Sequence, residues 1–185
     1  RRQRQMCIRD SYKATMSELR KMQGREFGAD GVEITAHAPC APDHLPYQGK
    51  QYTTREYNEI QDELTRDIET GANCRHRADP IILGISDPAW GDKMREELEK
   101  QSTETVTITG SNGMTKEMTR YEASQYQRQM ERGIRKLSEQ SYLDPDNKAL
   151  KDRIDRARGD YRRISKEAGL TTRMERTRCY TVSVV

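Results

Sequence analysis

Two apolar stripes in the last third of the chain constrain its fold more than any other feature. Ala123, Tyr126, Met130, Ile134 and Leu137 follow one another at steps of 3, 4, 4 and 3. Beyond a break at Asp144-Pro145, the residues Leu150, Ile154, Ala157, Tyr161, Ile164 and Ala168 step by 4, 3, 4, 3 and 4. That spacing gathers the apolar side chains on one face of a 3.6-residue helix and leaves the charged ones on the other. The short link predicts an antiparallel helical hairpin over residues 119–170. Two helices alone cannot hide both stripes. The hairpin therefore needs a further surface, from the rest of the chain or from another subunit.

Composition sharpens that need. Of 185 residues, 32% are hydrophobic and 34% are charged, with one Trp and one Phe. A large self-sufficient core is not expected at this composition, so a modest core supported by partners is. The length suits one domain, or one domain with an appendage. No stretch approaches the roughly 18 apolar residues that span a bilayer, and no membrane partner is expected. The basic opening leads into Tyr12-Lys-Ala-Thr-Met16 rather than an apolar signal run. The four cysteines are accordingly expected as thiols and not as a disulfide framework.

Charge is unevenly placed. Residues 31–118 carry nine basic and sixteen acidic side chains, net −7, while residues 119–170 carry thirteen and nine, net +4. The basic helices could face nucleic acid or an acidic protein, or simply water. Residues 1–11 resemble translated adapter sequence and read as a non-native leader, and residues 178–185 read as a similarly foreign end.

Shorter elements fill the region before the hairpin. A helix is expected over 12–27, with Met16, Leu19 and Met22 as its apolar residues, and a strand over 32–36. The prolines of 38–46 impose an irregular loop. Thr53 or Thr54 caps a helix to about Arg66, with Glu56 in its first turn. A short buried strand ends at Leu83. Asp87-Pro88 opens a helix through Lys100. Thr105 to Thr109 forms a strand, Asn112-Gly113 turns it, and Met114 to Met118 returns. The expected fold is α+β: a small mixed domain over 12–118 with short strands and a β-hairpin, then the helical hairpin over 119–170 and a tail over 171–185.

Chemistry concentrates in one window. All three histidines and two cysteines fall in His37-Ala-Pro-Cys40-Ala-Pro-Asp-His44 and Asn73-Cys74-Arg75-His76. His37, Cys40, His44, Cys74 and His76 are donors suited to zinc, and four of the five could complete a tetrahedron. The spacing matches no standard finger. The same side chains could instead hydrogen-bond and pack an irregular loop. A nucleophilic Cys74 or Cys40 would need a base and an oxyanion hole, and no complete set is visible. A nuclease would use His37 or His44 as base, with Lys50 or Arg75 on phosphate, yet the window lies in the acidic part of the chain.

The order of these residues resembles the phage minor capsid protein 2 family, related to the Mu-type head morphogenesis proteins. The resemblance rests on Thr35-Ala-His37, on Pro42-Asp43-His44, on Tyr47-Gln48-Gly49-Lys50 with Tyr52, and on Asn73-Cys74-Arg75-His76. Tyr121-Glu-Ala-Ser-Gln125 and the basic run Glu131 to Lys136 extend it. Pro39, Cys40 and Ala41 stand where the family pattern has Gly, Ala and Arg, and the family's N-terminal portion is missing, as in a C-terminal fragment. The resemblance implies a non-enzymatic structural or assembly component of a tailed-phage head. It would sit near the portal and inside the shell, after a stage in the host cytoplasm. Portal and other head proteins are the implied partners. No cofactor is implied, with zinc the one candidate from the residues themselves. The alternative is a nucleic-acid-processing or toxin-like enzyme using the His/Cys window.

Overall fold

The computed structural model describes residues 2–71, 74–110 and 113–179, with side chains from residue 11 onward. Helices with short antiparallel strands make it α+β, as expected. It divides into two compact units, Arg1–Gln101 and Ser102–Val185.

The first unit holds helix α1 (Arg2–Glu26), strand β1 (Gly31–Ile34), strand β2 (Gln51–Thr53), helix α2 (Thr54–Glu63) and strand β3 (Ala78–Ile81). Helix α3 (Asp92–Thr103) ends this half of the sequence. The strands form an antiparallel sheet in the order β2-β1-β3, with Val32 opposite both Tyr52 and Pro80. Pro80 is tolerated because β3 is an edge strand and its missing N–H breaks no inner ladder. Ile34, Tyr57, Ile60, Ile68 and Ala78 make the core, joined by Val32, Tyr47, Tyr52 and Leu64.

Three expectations for this unit need correction. Helix α1 does not pack through Leu19 and Met22, which are exposed, but through Ser17 and Gly24. A Cβ on Gly24 would stand 2.5 Å from the Pro80 Cβ, so glycine lets the helix rest on β3. Helix α2 has the expected Thr53–Glu56 capping box but stops at Glu63 instead of Arg66. The Gln61 side chain clamps the returning backbone, accepting from the Ile68 N–H at 2.8 Å and donating to the Ile68 carbonyl at 3.1 Å. Asp87-Pro88 does not start a helix, and α3 begins only at Asp92. The Ala89 N–H is taken instead by the Glu33 carboxylate at 2.9 Å, which folds the segment against β1.

The second unit opens with strands β4 (Thr105–Thr109) and β5 (Thr115–Thr119), an antiparallel ribbon. Its turn includes Gly113 at φ +76°, while Asn112 lies outside the described residues. Helices α4 (Arg120–Leu143) and α5 (Lys148–Glu167) follow. Gln127 reaches Ser165 and Glu131 reaches Tyr161, so position rises on one helix as it falls on the other, and the pair is antiparallel.

The ribbon and the last turns supply the surface that the stripes require. Ile108 and Met118 pack on Ala123, Ile164 and Ala168. Ile134, Ile154 and Tyr161 form a second cluster, reached by Met174 from a 3-10 turn at Met174–Thr177. Two boundaries therefore differ from the sequence expectation. The β-hairpin packs with the helices that follow it, and within 171–177 Met174 and Thr177 pack into the core while Thr171, Thr172, Arg173 and Glu175 are exposed. Within α4 the buried positions are Ala123, Gln127, Glu131 and Ile134, and Tyr126 is exposed.

Candidate functional site

The first unit gathers the His/Cys window into one buried cluster. The loop over residues 35–50 leaves and rejoins the sheet at neighbouring points. The Thr35 N–H donates to the Arg77 carbonyl at 2.9 Å, and at the far end the Gly49 N–H donates to the Ile34 carbonyl at 2.7 Å. Gly49 makes that closure at φ +69°, a left-handed value that glycine adopts without strain. The second contributor is the extended approach to β3. Alternate side chains of an extended chain face opposite sides, so Cys74, His76 and Ala78 are buried while Arg75 and Arg77 are exposed.

Cys74 is the centre of the cluster. Its Sγ lies 3.6 Å from His44 Nδ1 and 3.4 Å from His76 Nδ1. The three donor atoms lie within 4.8 Å of one another, and all three residues are buried. The Glu69 backbone N–H donates to the same sulfur at 3.3 Å. The other face of the His76 ring meets Cys40 Sγ, 3.6 Å from Nε2, and Gln48 Oε1, 3.2 Å from Nε2. The His37 ring stacks on His76 at 4.3 Å between centroids.

Hydrogen-bond partners fix the ring protons. A carbonyl oxygen only accepts, so His44 Nε2, at 2.7 Å from the Arg66 carbonyl, carries its proton. That carbonyl is available because α2 ends early. Gln48 Oε1 accepts from the His37 backbone N–H at 3.1 Å, which identifies it as the oxygen. His76 Nε2 must then donate to it, and His76 Nδ1 is bare. As neutral rings, both imidazoles thus turn an unprotonated Nδ1 toward Cys74.

The titration behaviour follows from this geometry. Burial alone would raise the Cys74 pKa, but bonds from His44 and from the backbone N–H groups of His76 and Glu69 outweigh it and lower it. Burial would likewise lower the His44 pKa, but the Cys74 sulfur and the Arg66 carbonyl outweigh it and raise it. His76 is pushed down to about 3, chiefly by burial and then by the neighbouring His37 and His44. Burial pushes the Cys40 thiol up to about 12, so Cys40 stays protonated. Cys40 and Cys74 share burial but not character.

The remaining signature residues brace the loop. Arg75 donates to His37 Nδ1 at 3.0 Å and to the Pro39 carbonyl at 3.1 Å. Lys50 donates to the Pro46 carbonyl at 2.7 Å, Pro42 is exposed, and Asn73 lies outside the described residues. Asp43 pairs with Arg66, and its carboxyl is lowered: burial would raise it, but the Arg66 bond prevails.

A second layer had no clear signal in the sequence. Glu69 is buried at φ +77°, a backbone conformation uncommon outside glycine. Its carboxylate accepts from Ser17 Oγ at 2.7 Å and pairs with Arg20. Lys13 donates to the Cys74 carbonyl at 2.7 Å. Lys13, Ser17 and Arg20 stand at i, i+4 and i+7 on α1, so its inner face is a polar clamp on the 69–74 turn.

The fold and this cluster describe a small α+β protein whose distinctive side chains are engaged with one another in holding loops to a sheet. The chain belongs to the family described as phage minor capsid protein 2, whose model matches residues 4–167. Residues 4–11, expected from sequence to be foreign, fall within that match. No curated protein and no solved structure matches the chain. No helix among the described residues is long and apolar enough to cross a membrane.

Proposed function

We propose that this capsid-family protein is a portal-associated component of a tailed-phage head, seated inside the shell. The observation that carries this reading is the family match over residues 4–167. The arrangement of the His/Cys window supports a structural role. Cys74, His44 and His76 are almost fully buried, and their polar atoms are directed at one another and at backbone groups. A nucleophile or general base needs reach to a substrate, and these groups face inward.

The outer face of α5 would be the surface that meets packaged DNA, its cations interleaved with the exposed Asp152, Asp155 and Glu167. Lys151, Arg153, Arg156, Arg162, Arg163 and Lys166 are all exposed there. Such a surface would hold phosphate without reading sequence, and binding should weaken steeply with salt. During assembly the protein would pass through the host cytoplasm.

The test is composition and placement. Purified virions should contain the chain, protected from external protease until the shell is opened, and it should co-sediment with portal rings from disrupted heads. Absence from virions, or protease accessibility on intact particles, would contradict the reading. Metal-dependent cleavage of DNA or RNA, abolished by His44→Ala or His76→Ala, would favour the enzymatic alternative.

A further inference from the structure

The Cys74 cluster carries more than loop bracing, because its protons do not match its acceptors. Two bare Nδ1 atoms, of His44 and His76, face one sulfur. A neutral thiol has one hydrogen and can serve only one of them. A thiolate has none; a protonated His44 could donate to it, but the His76 Nδ1 lone pair would still face it. A third polar contact, the Glu69 N–H, is directed at the sulfur and suits an anion there. The arrangement is one of converging electron pairs in a buried site, which a cation would satisfy together.

The distances match a particular class of cation. Zn–S of about 2.3 Å and Zn–N of about 2.0–2.1 Å at a tetrahedral angle put sulfur and nitrogen about 3.5 Å apart. The observed separations are 3.6 and 3.4 Å. The outer ring nitrogens are also prepared. His44 Nε2–H is held by the Arg66 carbonyl and His76 Nε2–H by Gln48 Oε1. A metal-binding histidine characteristically donates its second nitrogen to such an acceptor, which fixes tautomer and ring orientation.

We infer that His44 Nδ1, Cys74 Sγ and His76 Nδ1 form a binding site for a borderline divalent cation of the zinc type. Cys40 is not part of the set, because it lies off the opposite edge of the His76 ring. His37 is not either: it stacks on that ring, and its Nδ1 accepts from Arg75. The protein supplies three ligands, leaving one tetrahedral position to a non-protein ligand. Gln48 and the Arg66 carbonyl are positioning groups. The site would join the Pro-rich loop to the approach of β3. This inference stands apart from the proposed place in the phage head.

The test uses the full chain. Elemental analysis after gel filtration should find about one zinc per folded chain, as expected for a built site. Exchange to Co(II) should give tetrahedral d–d bands and a thiolate charge-transfer band with the intensity of one sulfur ligand. Cys74→Ser should abolish that band, Cys40→Ser and His37→Gln should keep it, and Gln48→Ala should weaken affinity by about 10- to 100-fold. Should Cys74→Ser fail to fold, the wild-type Co(II) spectrum still decides. Folded wild-type protein that retains no zinc and develops no charge-transfer band would overturn the inference. So would a band of two-sulfur intensity, or one lost in Cys40→Ser.

Discussion

The two units solve the same problem, a shortage of apolar side chains, in different ways. The second unit takes the ordinary course. It aligns Ile134, Ile154, Tyr161 and Ile164 along two helices and covers them with Ile108, Met118 and Met174. Its buried polar residues lie between the apolar clusters in pairs, as with Tyr161, which donates to Glu131 and accepts from the Arg173 N–H, each at 2.9 Å. The first unit has a small apolar core under its sheet and then a separate buried layer built from Cys40, His44, Gln48, Glu69, Cys74 and His76. An apolar core is nondirectional and tolerates small shifts, whereas a polar one holds a single arrangement only while every group is satisfied. The first unit has therefore placed its irregular loops under geometric control, and the second has placed its helices under packing control.

The sharpest break between the two should come from core truncation. Ile164→Ala in the second unit should lower stability by about 2–5 kcal/mol, the usual range for a buried large-to-small change. Urea titration should return the same loss with or without chelator. A chelator-dependent loss would mean that the apolar unit is not the metal-independent one.

Acid should act on the first unit. In metal-stripped protein His76 is held down at about 3 against an ordinary 6.5, mainly by burial. Between those values the unfolded chain binds a proton that the folded one refuses, so stability falls as pH falls. The slope approaches about 1.4 kcal/mol per pH unit once the unfolded histidine is mostly protonated, so the loss from pH 6.5 to 4.5 is about 2 kcal/mol. In the same metal-stripped protein His44 does not share this loss: its folded pKa is raised, so the stability it contributes is present below 6.5 and is lost only as pH rises through the folded value. Cys74, with a folded pKa lowered from 9.0, contributes stability that is full above that value and is lost as pH falls through the folded one. Comparison of wild type with His76→Gln at the two pH values checks this, since the substitution should flatten the slope.

A smaller effect tests the polar pair inside the apolar unit. Tyr161→Phe leaves Glu131 and the Arg173 N–H without their shared hydroxyl and should lower stability by about 1–3 kcal/mol. The smallest effect should be equal in both units. Thr53 and Thr119 each form a capping box, with Glu56 and Glu122 respectively. Thr53→Ala and Thr119→Ala should each lower stability by about 1 kcal/mol, and a large inequality would show that one cap does more than end a helix.

The same contrast explains what was legible in the sequence. The helical hairpin, the β4–β5 ribbon and the Thr53 cap depend on residues close along the chain, and periodicity or a local motif reports them. The inner face of α1 does not. Lys13, Ser17 and Arg20 are buried or half-buried by bonds to residues about fifty to sixty positions away, so hydropathy pointed to Leu19 and Met22 instead. The five candidate ligands were visible as a window, yet spacing could not separate Cys40 from Cys74. That distinction depends on which edge of the His76 ring each thiol meets, and on Gln48, whose oxygen is oriented by the His37 backbone. Glu69 gave no signal, because a positive φ at a glutamate follows from its distant partners.

The central claim is that two imidazoles turn bare Nδ1 atoms onto one sulfur. Long-range proton–nitrogen correlation spectra of the histidine rings test it most directly. His44 and His76 should both carry their proton on Nε2, with Nδ1 shifted by a bound cation in metal-loaded protein. A proton on Nδ1 of His76 in metal-loaded protein would contradict it.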